Sequence, residues 1–154
     1  MEALAHEAPA SHDIVMDWSW EGEESDEEAK LRAETRKILE LPDLPISATC
    51  VRVPVMVGHS EAVWIELEHP LGPGEAAELL RDAPSVRVLD LPEFPSPAAA
   101  AGEDEVLVGR IRRDTASENG IALYLSSDNL RKGAALNAIQ IAELLLEGVA
   151  ARTV

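Results

Sequence analysis

The chain has 154 residues, with 13 Lys and Arg against 29 Asp and Glu, a formal charge of −16 when the histidines are neutral. Nucleic-acid binding rests on clustered cations, and an excess of carboxylates repels both polyanions and anionic bilayers, so neither nucleic acid nor membrane is expected as a partner. The hydrophobic fraction of 46% is enough for one core of ordinary size. One cysteine, Cys50, excludes an internal disulfide framework and a Cys-rich zinc site, and no metal site is expected. The N-terminus lacks the basic start and apolar core of a signal peptide, and no run of about 18 apolar residues is present to span a bilayer. A cytoplasmic protein is expected.

Residues 1–25 are the weakest segment: an Ala and Leu stretch, Pro9, an extended-looking Ile14-Val15-Met16, then Trp18, Trp20 and an acidic run. Ser25 with Glu28 three residues later has the form of a capping box, and the acidic first turn suits the positive end of a helix dipole. The spacing predicts a helix from Asp26 to about Leu41, stopped by Pro42. From Ile46 to Val57, Val51, Val53, Val55 and Val57 alternate with Cys50, Arg52, Pro54 and Met56, which predicts a strand with one apolar face. A second strand is predicted over Ala62 to Glu68.

Pro73 opens a short helix reaching about Asp82, and Val86 to Leu89 reads as a strand. Residues 92–102, rich in Pro and Ala, read as an irregular surface connection. Val106 to Arg113 and Ile121 to Ser126 bracket Asn119-Gly120, a strong hairpin signal. A long helix from about Leu130 to Val149 closes the chain, with Leu130, Ala134, Ala138, Ile141 and Leu145 as its apolar stripe. Strands joined partly as hairpins, together with three helices, imply an α+β domain with a mixed or antiparallel sheet and helices on one face.

No GxGxxG or Walker A pattern is present, and no nucleophile elbow. Four polar features remain. Arg52, inside the predicted strand, is either paired in a salt bridge or holds a carboxylate or phosphate. His59 follows Gly58 at a strand end, as an ordinary loop residue or as a catalytic one. On a straight strand it would lie roughly 23 Å from Arg52 and on the opposite face, so a shared ligand requires a bend at Pro54 or Gly58. Glu27, Lys30 and Glu34 line one helix face, as a solvated ion-pair stripe or as ligand contacts. Asp128-Asn129 precede the last helix as caps or as an anion site.

Three separated motifs carry a resemblance. Thr49-Cys50-Val51-Arg52-Val53-Pro54-Val55 with Gly58-His59-Ser60, the run Asp128-Asn129-Leu130-Arg131-Lys132-Gly133-Ala134, and the helix from Glu27-Glu28-Ala29-Lys30 to Glu34-Thr35-Arg36-Lys37 fall in the order seen in aspartate-β-semialdehyde dehydrogenases. Over residues 26–148 the chain resembles the C-terminal half of that family, while residues 11–25 match poorly. The resemblance implies the C-terminal catalytic and dimerisation domain of a glyceraldehyde-3-phosphate dehydrogenase-like enzyme, here residues 26–154. Such an enzyme reduces β-aspartyl phosphate with NADPH, through a cysteine thioester, on the route to lysine, threonine and methionine. His59 would be the general acid and base, Arg52 the clamp on the substrate carboxylate, Glu27 the contact to the substrate amino group and Lys30 that to the phosphate. Asn129 would touch the nicotinamide end of NADP.

The departures from the family pattern are as specific as the matches. The Asn-Cys-Thr type nucleophile motif and the cofactor domain are not in this sequence. Cys50, inside the predicted strand, reads as a buried small hydrophobe rather than the nucleophile. The chain alone is therefore expected to be inactive, and to work as a homodimer or in association with an N-terminal half. The other reading open to it is a non-catalytic dimerisation or interaction module derived from the family.

Overall fold

The computed structural model describes residues 19–151, so the extended reading of Ile14-Val15-Met16 lies outside the described residues. The described residues form two compact units, divided between Pro54 and Val55.

In the first unit, a two-residue-strand hairpin pairs β1 (Trp20–Glu21) with β2 (Glu24–Ser25). Ser25 is also the N-cap of α1 (Asp26–Ile38). The expected capping box is formed: Ser25 Oγ accepts the Glu28 N–H at 3.3 Å, and the Glu28 carboxylate accepts the Ser25 N–H at 2.9 Å. Asp26, Glu27 and Glu28 sit at the positive end of the helix dipole, Arg36 and Lys37 at the negative end. The helix stops short of the expected Leu41, because Glu40 takes the left-handed conformation at φ 56° before Pro42.

The strand expected over residues 46–57 does not form; among the described residues the segment carries a bridge at Arg52 and no longer ladder. The alternation of valines was misleading. Val51, Val53 and Val55 are exposed, and Pro45 and Pro54 cannot donate to a ladder. Cys50 is half-buried rather than buried.

The second unit is built on a mixed four-stranded sheet in the order β3 (His59–Glu66), β6 (Gly120–Ser127), β5 (Val106–Arg113), β4 (Val86–Leu89). Pairings β3–β6 and β6–β5 are antiparallel, and β4–β5 is parallel. The α+β class and mixed sheet expected from the element pattern are the observed architecture. The hairpin marked by Asn119-Gly120 joins β5 to β6 through a longer loop, in which the Asp114 carboxylate accepts the Ala116 N–H and the Asp114 N–H reaches the Gly120 carbonyl.

Leu107, Val108, Ile121, Ala122 and Leu123 are buried in the sheet, with Ala76 and Ala77 buried on α2 (Pro73–Arg81). Between α2 and the sheet an apolar cavity of about 220 Å³ is lined by Ile65, Leu79, Ile121 and Leu123 among others. The connection 92–102 contains one short helix, α3 (Pro97–Ala100), capped by Ser96 Oγ on the Ala99 N–H. After β6 the backbone makes a π turn over Arg131–Ala135, broken by a non-helical Ala134, and α4 (Leu136–Ala151) follows. Of the expected apolar stripe, Leu130, Ile141 and Leu145 are exposed.

Candidate functional site

His59 is the first residue of β3, an edge strand, and stands opposite Ser127 of β6. The turn that delivers it is made by Gly58 at φ 110°, where a Cβ would lie 2.9 Å from Pro97 Cβ and 3.0 Å from the Pro97 carbonyl oxygen. No residue with a side chain fits that conformation and that space together. The Gly58 N–H donates to Asn129 Oδ1 at 3.0 Å. Two residues expected in the site, His59 and Asn129, are thus brought together at one end of the sheet.

Glu61 was not foreseen. Residues i and i+2 on a strand share a face, and Glu61 Oε1 accepts from His59 Nε2 at 2.7 Å. That hydrogen bond holds the Glu61 carboxyl below its ordinary range. A carboxylate can only accept, so the ring carries a proton on Nε2.

Asp128 holds Asn129 in place from the next position along the chain. It is 4% exposed. Its Oδ2 accepts the Gly102 N–H at 2.8 Å, and its Oδ1 accepts the N–H groups of Leu130 at 2.8 Å and Arg131 at 3.1 Å. The Gly102 bond, joined by those from Leu130 and Arg131, lowers its carboxyl below the usual value. The Asp128 carboxylate thus caps the backbone turn that leads into Arg131–Ala135.

The other three expected residues lie in the first unit. Glu27 and Lys30, one helical turn apart on α1, are joined at 2.8 Å. The hydrogen bond from Lys30 to Glu27, with the charges of Glu27, Glu34 and Asp26 added, raises the ammonium above its ordinary range. Arg52 is exposed, two residues after Cys50, whose N–H donates to Glu28 Oε1 at 2.8 Å. Among the described residues no three His, Cys, Asp or Glu side chains are grouped to hold a metal ion.

A mixed four-stranded sheet of this topology, with a histidine starting its edge strand, places the chain among the C-terminal domains of glyceraldehyde-3-phosphate dehydrogenase-like dehydrogenases. Residues 17–132 match the model of the semialdehyde dehydrogenase dimerisation domain, and the chain belongs to that family. It is 57% identical over 122 residues to the aspartate-semialdehyde dehydrogenase of Streptomyces akiyoshiensis, a match covering 79% of this chain and 35% of that one. Its fold is similar to that of aspartate semialdehyde dehydrogenase II from Vibrio cholerae in complex with ASA, at TM-score 0.79 and 39% identity, covering 88% of this chain and 41% of the other. The Candida albicans enzyme with NADP matches at TM-score 0.59 and 31% identity, over 86% of this chain and 44% of that one. The chain spans between 35 and 39% of the length of the curated relatives it matches most strongly.

Proposed function

We propose that this chain supplies the proton-transfer and substrate-holding part of a cytoplasmic, homodimeric aspartate-semialdehyde dehydrogenase, with residues 26–154 as its catalytic and dimerisation domain. The reaction is reduction of β-aspartyl phosphate by NADPH to aspartate semialdehyde, phosphate and NADP. The observation that carries this reading is the fixed turn Gly58-His59 on Asn129, in a chain 57% identical to a named aspartate-semialdehyde dehydrogenase.

His59 moves the proton. It delivers one to the oxygen of the thiohemiacetal and recovers it on collapse, while Glu61 fixes the ring orientation. The Arg52 guanidinium, a planar fork of donors, takes the substrate carboxylate. Lys30 neutralises the phosphate, and its partner Glu27 accepts from the substrate ammonium. NADPH supplies the hydride. Asn129 fits that partner through one group only: its Oδ1 is committed to Gly58, so contact to a nicotinamide carboxamide runs through its side-chain NH2. The nucleophilic thiol and the dinucleotide-binding domain are assigned to protein outside this sequence, in line with a match to only 35% of the Streptomyces enzyme.

The test is a transplant: the matching segment of the Streptomyces enzyme is replaced by this chain's residues 26–148. The hybrid is expected to oxidise aspartate semialdehyde with NADP and phosphate, and the isolated chain to do nothing. A folded, dimeric hybrid without activity contradicts the proposal.

A further inference from the structure

Glu28 is half of the capping box of α1, and a cap uses one carboxylate oxygen. Its Oε2 does accept the Ser25 N–H at 2.9 Å. Its Oε1 makes a second bond, to the N–H of Cys50 at 2.8 Å, across 22 residues of sequence. The side chain is buried at 8% exposure, and the bonds from the Ser25 and Cys50 backbones hold its carboxyl below the ordinary range. Glu27 and Lys30 stand on the same first turns of α1, and Arg52 follows Cys50 by two residues.

From this geometry we infer that Glu28 is a positioning residue: one carboxylate, bonded at once to the start of α1 and to the segment before Arg52, sets the Arg52 backbone in register with Glu27 and Lys30. The inference rests on the reading of those three residues as substrate contacts. The Ser25 and Cys50 backbones meet Glu28 with N–H donors, and the Ser25 hydroxyl also bonds to its carboxylate, so a side chain with two acceptor oxygens serves them together. Glutamine would turn an NH2 against one of them, and aspartate is one methylene shorter. Residues 46–54 belong to no helix and, among the described residues, to no strand beyond the bridge at Arg52, and the Cys50 bond ties them to the first turn of α1.

Cys50 is the only cysteine in the chain, which makes its thiol a reporter of that segment. The full chain is compared with S25A, which removes one side of the cap and leaves the Cys50 bond, and with E28Q. Reaction of Cys50 with a thiol-specific disulfide reagent under native conditions is expected to quicken about tenfold in E28Q and to stay within about twofold in S25A. Equal acceleration in both variants would mean that Glu28 is only a helix cap, and overturns the inference. Should E28Q fail to fold, exchange of the Cys50 amide in the unsubstituted chain decides: protection of about a hundredfold over a free peptide supports the bond, and none refutes it.

The substrate arm uses L-aspartate and inorganic phosphate as probes, read from the side-chain nitrogen resonances of Arg52 and Lys30. In the unsubstituted chain both resonances are expected to shift together, and in E28Q Arg52 is expected to lose its response while Lys30 keeps its own. Equal responses in both proteins overturn the inference. Absence of any response in the unsubstituted chain overturns the substrate reading instead, and the thiol and amide rates still decide the role of Glu28.

Discussion

Asn129 Oδ1 accepts the backbone N–H of Gly58 at 3.0 Å across 71 residues of sequence, joining the residue before His59 to the residue after Asp128. The bond places His59 by its backbone rather than by its ring. Gly58→Ala adds a methyl group against Pro97 at a φ of 110°, so it is expected to destabilise the chain by about 2 kcal/mol or more. Asn129→Ala removes the carboxamide, and with it the acceptor for Gly58, and is expected to cost about 1 kcal/mol. Urea unfolding of the two variants measures both, and a Gly58→Ala protein as stable as the parent would show that the turn is not as described.

Asp128 is a second anchor. Three backbone N–H groups donate to it, and with 4% exposure water cannot replace it. Asp128→Ala is expected to destabilise by about 2–4 kcal/mol, because several donors lose one acceptor at once. Asp128→Asn keeps one oxygen and is expected to fall between. The order parent, Asn, Ala in denaturant midpoint is the measurement.

Glu28 and Asp128 both have their carboxyls lowered, the first mainly by the Ser25 and Cys50 backbones and the second mainly by Gly102. A depressed carboxyl binds its proton less tightly folded than unfolded. Its contribution is therefore present above the unfolded value, about 4, and is lost as pH falls through the lower folded value. Stability is expected to decline on acidification below about pH 4.5, and less steeply in E28Q and D128N, which have no proton to take up at those positions. Equal slopes in parent and variants would contradict the assigned hydrogen bonds.

Local chemistry made much of this fold legible. Pro73 at a helix start, Asn119-Gly120 between two strand-like runs and the Ser25–Glu28 box each act within a few residues, and α2, the β5–β6 hairpin and α1 stand where those signals point. The segment 46–57 failed because alternation reports what a strand could bury, not whether a neighbouring strand is there to bury it. Leu130, Ile141 and Leu145 make the same point, since they are exposed and periodicity shows an apolar face without showing what covers it. In the site, Arg52 and His59 stand out by their place on the chain, a polar residue inside an apolar alternation and a histidine after Gly58, while the roles given to them come from the family motif. Glu61 could have been found from its spacing of two on a strand, whereas the bond from Cys50 to Glu28 closes over a distance that no local pattern encodes.

Proton transfer by His59 is the central claim, and kcat of the transplanted enzyme tests it most directly. His59→Gln in the hybrid is expected to lower kcat by about 10²–10⁴-fold with KM changed far less, the range for loss of a positioned acid and base. A variant that folds, dimerises and turns over within twofold of its parent would contradict the role given to His59.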